Sequence, residues 1–196
     1  MKGEKTIGIL LAGGLSSRYG SPKAFATLHG KYFYEYTYVI LQAICEEVVI
    51  VTRPELLESF PENVLKMTDE ARFAGCGPLA GIYSVMARFE AERYVVLPCD
   101  MPLLEAAVVG NLLDRHEKLI TVVRTSKFLQ PLVSVWNFEM KERIEAKLTA
   151  EIYKIGALFT DDAVHTIDAG EIATSDEQFI NVNTREDEKE MGRWVK

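Results

Sequence analysis

The stretch IGILLAGGLSSRYGSPK, residues 7–23, decides the fold. It begins with a continuous apolar run, IGILL, which is typical of a strand covered by helices on both faces. A turn follows directly, with three glycines, three serines and two cations, Arg18 and Lys23. In a glycine-rich turn the backbone N–H groups can converge on a phosphate, and the two cations would add neutralising charge. The stretch therefore predicts a buried strand followed by an anion-binding loop.

This turn matches neither of the common nucleotide fingerprints. The pattern G-x-G-x-x-G is absent, and G-x-x-x-x-G-K-[ST] fails between Gly14 and Lys23. From spacing alone, an ordinary strand-to-helix loop stays open as the alternative to a phosphate site.

Apolar runs rich in β-branched residues alternate with stretches of helical period along the rest of the chain. Strands are predicted over residues 6–11, 47–52, 64–67, 93–98, 119–124, 131–136 and 164–167, and helices over residues 32–44, 78–89, 104–118, 139–147 and 186–195. The partial alternation of residues 131–136 (PLVSVW) favours a place near an edge of the sheet. The whole pattern predicts a single three-layer α/β/α domain over residues 1–196, with an open, mostly parallel Rossmann-like sheet.

Composition excludes several classes of protein. Of the 196 residues, 48% are hydrophobic and 26% are charged, which argues against a disordered or fibrous chain. The formal charge of −7 disfavours a nucleic-acid or anionic-membrane surface. Cys45, Cys76 and Cys99 are far apart, without a C-x-x-C pair, so neither a disulfide framework nor a zinc site is predicted. The first apolar run is too short for a signal peptide or a membrane span, and a cytoplasmic protein is expected.

A carboxylate follows the apolar run YVVLP in the stretch PCDMP, residues 98–102. The carboxyl ends of parallel strands form the ligand crevice of an open sheet, so Asp100 should face the same crevice as the glycine-rich turn. A carboxylate there suits Mg²⁺, and Asp69, after the strand at 64–67, would be a second group. The alternatives are a helix-capping role for Asp100 and a structural role for Asp69.

Five motifs follow one another along the chain: LAGGLSSRYGSPKA (11–24), GPLAGI (77–82), PCDMPLL (98–104), QPL (130–132) and NVNTREDE (181–188). Together and in this order they resemble the MobA-like family of molybdenum cofactor guanylyltransferases, over nearly the whole chain. The resemblance implies a fold of the nucleotidyltransferase type and an enzyme that uses Mg²⁺. It implies transfer of GMP from GTP to molybdopterin, with release of pyrophosphate and formation of the guanine dinucleotide cofactor.

The resemblance also implies roles for individual residues. GTP-binding positions are Leu11, Ala12, Gly13, Gly14, Lys23, Asp69 and Asp100, and Asp100 is also the Mg²⁺ ligand. Arg18, Gln130, Asn181 and Asn183 correspond to the molybdopterin side, and Arg18, Lys23 and Asp100 to the catalytic set. Thr52 stands where the family has an asparagine or related polar group after its second strand.

The chemistry implied by the resemblance needs little acid–base help from the protein. The attacking group is a phosphate, which is already ionised at neutral pH. This agrees with a sequence in which His29, His116 and His165 show no triad or ligand spacing and are interpreted as surface or hydrogen-bonded residues. The expected partners are GTP and molybdopterin, with transient contacts to other cofactor-biosynthesis proteins or apo-molybdoenzymes.

Other functions remain open at this point. A cytidylyltransferase acting on molybdopterin, or a sugar-phosphate nucleotidyltransferase, could share the first loop, and nucleotide preference would separate them. A non-catalytic module that delivers the cofactor would bind GTP without making pyrophosphate. A Rossmann dehydrogenase is disfavoured because the chain lacks G-x-G-x-x-G and an acidic ribose partner in the expected context.

Overall fold

The computed structural model describes residues 4–14 and 19–194. Its strands are β1 (Thr6–Leu11), β2 (Thr27–Leu28), β3 (Lys31–Tyr32), β4 (Glu47–Val51), β5 (Leu65–Met67), β6 (Arg93–Pro98), β7 (Ile120–Arg124), β8 (Leu129–Asn137) and β9 (Val164–Asp168). Its α-helices are α1 (Phe33–Ile44), α2 (Pro78–Arg88), α3 (Ala106–Asp114), α4 (Met140–Thr149) and α5 (Arg185–Trp194).

Within the described residues, seven strands form one sheet in the order β5-β4-β1-β6-β8-β7-β9. The pairs β1–β4, β1–β6, β4–β5 and β7–β9 are parallel, and β8 runs antiparallel to both of its neighbours. The predicted open and mostly parallel sheet is therefore confirmed. Because β5, β4, β1 and β6 point the same way, their carboxyl ends meet at one edge of the sheet.

Helices cover both faces of the sheet. Leu10 packs in one core cluster with residues of α1 and α3, and Ile9 packs in the other with residues of α2 and α4. This alternation of sides explains why β1 is apolar along its whole length. No helix in the part of the chain that the structure describes has the length and apolar character to cross a membrane.

The prediction that residues 131–136 lie near an edge is wrong. Strand β8 lies between β6 and β7, inside the sheet. The polar residue within this run is buried and hydrogen-bonded: Ser134 Oγ accepts from Trp136 Nε1 at 2.8 Å. Gln130, just before the run, is also buried, and its Nε2 donates to the Phe179 carbonyl at 3.4 Å. A buried polar side chain with a protein partner carries little penalty, so it does not require a solvated face.

Other differences from the predicted elements are local. Helix α1 begins at Phe33 rather than Tyr32, because Tyr32 pairs with Thr27 in the β2–β3 hairpin, which was not predicted from the sequence. Helix α3 runs from Ala106 to Asp114, within the predicted 104–118. The predicted last helix included Val195, which lies outside the described residues.

Candidate active site

A cleft of about 1120 Å³ opens at the carboxyl edge of β5, β4, β1 and β6. Most of the predicted site residues line it: Leu11, Ala12, Gly13, Gly14, Lys23, Asp69, Asp100, Asn181 and Asn183. They come from segments far apart in the chain, and the sheet topology brings them together. Arg18 lies outside the described residues.

One ammonium group, that of Lys23, joins three of the segments that line the cleft. Lys23 Nζ lies 2.8 Å from Asp100 Oδ2 and 2.8 Å from Asn183 Oδ1. The glycine-rich turn, the end of β6 and the N-x-N segment before α5 therefore meet at this nitrogen. The side chains of Lys23 and Asp100 are 13% and 19% exposed, so the ion pair is largely enclosed but still reachable from the cleft.

The cap of α5 holds Asn183 in place. Asp187 Oδ2 accepts hydrogen bonds from the backbone amides of Asn183 and Thr184, at 2.8 and 2.9 Å, and Thr184 Oγ1 accepts from the Asp187 amide. These amides, that of Asn183 first, lower the pKa of the Asp187 carboxyl. The amide of Val182 also donates to the Asp100 carbonyl at 2.9 Å. Thr184 and Asp187 stand three apart, the T-x-x-D spacing of a helix cap, and this cap fixes the segment Asn181–Asn183 against the end of β6.

Backbone hydrogen bonds tie the start of the glycine-rich turn to its neighbours. The Ala12 amide donates to the Val51 carbonyl at 2.8 Å, and the Leu11 carbonyl accepts from the Cys99 amide at 3.2 Å. Thr52 lines the cleft, and its Oγ1 lies 3.4 Å from the Ala12 carbonyl oxygen. The turn thus enters the cleft from a rigid base shared by β1, β4 and β6.

Asp69 lies on the β5 side of the cleft. Its Oδ2 accepts from the Gly75 amide at 3.1 Å; burial raises the pKa of this carboxyl, and the Gly75 bond opposes that rise. Next to it, the Glu70 amide donates to Ser84 Oγ at 2.7 Å, and Ser84 in turn donates to the Ala80 carbonyl. Ser84 is buried in α2. The first turns of α2 therefore set the position of the Asp69 backbone.

Arg72 links the segment that carries Asp69 and Gly75 to neighbouring helices. The Arg72 guanidinium contacts Glu70 and Glu145 at 2.7 and 2.6 Å, and it also donates to the Tyr83 hydroxyl. It lies over the Phe73 ring at 4.5 Å from the ring centroid. This segment is joined to both α2 and α4, so its residues face the cleft from a supported loop.

The N-terminus of α2 completes this side. Pro78 occupies the first turn, as predicted, and the preceding Gly77 has a φ of +79°, a conformation that side chains disfavour. Farther along, a Cβ atom at Gly81 would lie 2.9 Å from Leu11 Cδ2 and 3.1 Å from Val51 Cγ1. Glycine at 81 therefore lets α2 approach the ends of β1 and β4 closely.

Some predicted residues lie elsewhere. Gln130 is buried, and its amide is directed to the Phe179 carbonyl rather than into the cleft lining. His116 makes two 2.9 Å contacts, with Thr121 Oγ1 and Asn137 Oδ1, as expected of a hydrogen-bonded histidine.

Several residues that line the cleft were not predicted from the sequence. They follow β4 and β5, and include Arg53, Pro54, Glu55, Thr68 and Gly75. The available signal was their place at the carboxyl ends of predicted parallel strands, the same argument that selected Asp100.

The chain is similar in sequence to proteins of one family. The family model of the MobA-like NTP transferase domain matches residues 8–161. A protein of Geobacillus sp. (strain WCH70) named "Probable molybdenum cofactor guanylyltransferase" is 37% identical over 184 residues, which cover 92% of this chain and 94% of that protein. One of the same name from Bacillus cereus (strain ATCC 10987 / NRS 248) is 34% identical over 189 residues, covering 93% and 94%.

A solved structure shares the fold. The molybdopterin-guanine dinucleotide biosynthesis protein A of Archaeoglobus fulgidus superposes with a TM-score of 0.81 at 22% identity, covering 96% of this chain and 97% of its own. The fold, the cleft and the relatives together define an α/β nucleotidyltransferase. The chain belongs to the MobA-like NTP transferase family.

Proposed function

We propose that this protein transfers GMP from GTP to the terminal phosphate of molybdopterin, releasing pyrophosphate and forming the guanine dinucleotide cofactor. The observation that carries the proposal is the convergence of Lys23, Asp100 and Asn183 in the cleft, in a chain whose relatives are named for this reaction. Nucleotidyl transfer needs groups that neutralise and bind phosphates, and a cation beside oxygen atoms and a glycine-rich turn can do both.

The residue roles follow from where charge develops. Attack of a phosphate oxygen on the α-phosphorus builds negative charge on the transferring group and on the departing pyrophosphate. Lys23 would neutralise that charge from its place beside Asp100, and backbone amides of the glycine-rich turn beyond Ala12 would donate to phosphate oxygens. Arg18 would add a second cation from the same turn. The attacking phosphate is already ionised, so no side chain is assigned as a general base.

The order of the strands supports a direction for the nucleotide. Asp69 follows β5 and Asp100 follows β6, with β4 and β1 between them. Three strand spacings of about 4.8 Å separate these two ends, which is roughly 14 Å along the edge of the sheet. We place the nucleoside on the β4–β5 side and the phosphates at β1 and β6. Molybdopterin would then approach from the side of the cleft lined by Leu132 and Asn181. Gln130 would support that side indirectly, because its buried side-chain amide donates to the Phe179 carbonyl.

Mg²⁺ is the metal that we propose. Oxygen atoms of Asp100 and Asn183 both lie 2.8 Å from Lys23 Nζ, so oxygen donors already converge on one positive charge, and oxygen is the donor that Mg²⁺ prefers. The described residues include no group of three or more His, Cys, Asp or Glu side chains able to hold a metal. That fits Mg²⁺, which commonly binds through one or two carboxylates together with phosphate oxygens and water. When bound, Mg²⁺ would neutralise phosphate charge beside Asp100.

The direct test is pyrophosphate release with GTP and molybdopterin, with Mg²⁺ and again with a chelator. Release that requires GTP, molybdopterin and Mg²⁺ together supports the proposal. Release of pyrophosphate with CTP and molybdopterin, but not with GTP, would make the enzyme a cytidylyltransferase. GTP binding without pyrophosphate would favour a cofactor-delivery module. Thermal unfolding with each nucleotide gives a parallel readout, because a ligand at about 100 times its Kd stabilises by roughly 2.7 kcal/mol.

Three predictions about context belong to the same proposal. One domain over residues 1–196 is supported by the sheet that runs from Thr6 to Asp168. A cytoplasmic location and transient contacts with other cofactor-biosynthesis proteins or apo-molybdoenzymes stay predictions.

A further inference from the structure

We infer that Arg53 binds the O6 and N7 atoms of the guanine base and so selects GTP over other nucleoside triphosphates. This inference rests on the proposed function, since it assigns a residue to the base of the nucleotide proposed above. Three observations carry it: where Arg53 lies, which of its nitrogen atoms have partners, and which acceptors guanine offers.

Arg53 lies at the end of β4, on the side of the cleft assigned to the nucleoside. It lines the cleft together with Thr52 and Glu55. Strand β1 separates β4 from β6, so two strand spacings, about 10 Å, lie between the Arg53 end of the cleft and the Asp100 end. A guanidinium there is displaced from the phosphate-binding group Lys23 toward the region where a base would lie.

The backbone of Arg53 is held firmly. The Thr52 amide before it donates to the Met67 carbonyl at 2.9 Å, and the Arg53 carbonyl accepts from Leu56 at 3.0 Å as the short 3-10 helix Pro54–Ser59 begins. A Cβ atom at Gly13 would lie 3.6 Å from the Arg53 backbone nitrogen, so the glycine-rich turn packs directly beside it. The side chain is therefore mounted on a rigid part of the cleft wall.

The guanidinium is only partly hydrogen-bonded. One nitrogen, Nη1, lies 2.9 Å from Glu55 Oε1. The Nε atom is buried and has no acceptor among the described residues. A buried donor without an acceptor is destabilising, so a conformation in which the guanidinium meets a bound acceptor would be favoured. The Arg53 side chain is 28% exposed, which leaves it room to turn toward a ligand.

Guanine offers the acceptors that this group lacks. Its O6 and N7 atoms are neighbouring acceptors, and the flat fork of a guanidinium binds both at once. Adenine replaces O6 with an amino donor on the same edge, and cytosine presents an amino donor from a smaller ring. The Arg53 guanidinium, which only donates hydrogen bonds, therefore fits guanine and disfavours a base with an amino group at the position of O6.

The test compares nucleotides that differ by single atoms. Binding of GTP and 7-deaza-GTP, which lacks the N7 acceptor, is measured with Mg²⁺ on the wild-type protein and on Arg53→Ala. We expect wild type to bind 7-deaza-GTP about tenfold more weakly than GTP, and Arg53→Ala to bind the two equally. ITP keeps O6 and N7 and lacks only the 2-amino group. The Arg53→Ala substitution should therefore weaken the binding of ITP by the same factor as the binding of GTP.

Two further variants make the result decisive. Arg53→Lys keeps the charge without the two-pronged fork, so it should also lose most of the 7-deaza-GTP penalty, which separates base contact from simple charge. Arg88→Ala removes an exposed arginine at the end of α2 and should keep the wild-type preference. Equal binding of GTP and 7-deaza-GTP by wild type, or an unchanged penalty in both Arg53 variants, overturns the inference. Pyrophosphate release by wild type judges the proposed function separately.

Discussion

Lys23 Nζ lies 2.8 Å from Asp100 Oδ2, although the two residues are 77 positions apart in the chain. The pair joins the glycine-rich turn to the end of β6, and neither side chain is more than 19% exposed. A largely enclosed ion pair contributes little to the stability of the fold, because desolvation of the two charges offsets much of their Coulomb energy. Its place in the cleft is better explained by the negative phosphates and the metal ion that we propose bind there.

Asp100→Asn should abolish most of the turnover and leave the protein folded. The amide keeps the shape of the carboxyl and an oxygen to face Lys23, but it removes the negative charge that would hold Mg²⁺. We expect the rate of pyrophosphate release to fall about 100-fold or more, on the scale seen when one electrostatic group is removed from an active site.

The control for this substitution is Asp114→Asn, which makes the same chemical change at an exposed position at the end of α3. It should keep the wild-type rate. If Asp100→Asn turned over GTP as fast as this control, Asp100 would have no place in the metal site. Near-UV circular dichroism of both variants shows whether a loss of rate comes with a loss of packing.

Ser84→Ala should weaken GTP binding without removing any group from the cleft. The substitution leaves the Glu70 amide without its acceptor, which costs about 1–3 kcal/mol when the donor is buried and unpaired, and less if water reaches it. Asp69 is the next residue back along the chain, so we expect the KM for GTP to rise more than kcat falls. Steady-state kinetics together with urea unfolding measures both effects.

Ser59→Ala makes the same change at an exposed position and should leave both KM and stability unchanged. A Ser84→Ala enzyme that loses stability but keeps the wild-type KM would show that this hydrogen bond supports the helix and not the nucleotide site.

Sequence patterns predicted the strands whose apolar runs are continuous. Strands β1 and β6 begin and end at the predicted residues, because both faces of each are buried and no polar residue interrupts them. Strand β8 was misplaced because the alternation in PLVSVW makes Ser134 look like a solvent-facing residue, whereas Ser134 is buried and hydrogen-bonded. The strands that pair with β8 come from other parts of the chain, and a local pattern does not contain them.

The candidate site shows the same division. Lys23 and Asp100 could be found from their places after buried strands, and the T-x-x-D spacing found the cap that holds Asn183. Arg53 carries no motif of its own. Its interest comes from a buried nitrogen without a partner at the cleft wall, and this is a property of packing that spacing along a sequence does not encode.

Acid should destabilise the protein through His116, which is not among the residues that line the cleft. Burial lowers the pKa of this imidazole below the value of about 6.5 expected in the unfolded chain. Between those two values the unfolded state binds more protons than the folded state, so stability falls as the pH drops through that window. We expect urea unfolding to show this loss between pH 7.5 and 5.5, and His116→Asn to show a shallower dependence.

His29→Asn is the matched control, since His29 is an exposed histidine in the β2–β3 turn whose φ of +49° asparagine tolerates. It should keep the wild-type dependence on pH. An unaltered slope in His116→Asn would assign the acid sensitivity to other groups.

Two glycine-to-alanine substitutions should change stability in opposite directions. At Gly81 a Cβ atom would come within 2.9 Å of Leu11 Cδ2 and 3.1 Å of Val51 Cγ1, and such overpacking in a core costs about 1–3 kcal/mol. At Gly110, inside α3, the Cβ would meet nothing within 4 Å, and alanine favours a helix over glycine by up to about 1 kcal/mol. Urea unfolding should therefore show Gly81→Ala less stable and Gly110→Ala more stable than wild type.

Because Leu11 also lines the cleft, Gly81→Ala should raise the KM for GTP, while Gly110→Ala should not. Equal stabilities for the two variants would mean that α2 can move away from β1 and β4 at no cost, and that its close approach does not fix this wall of the cleft.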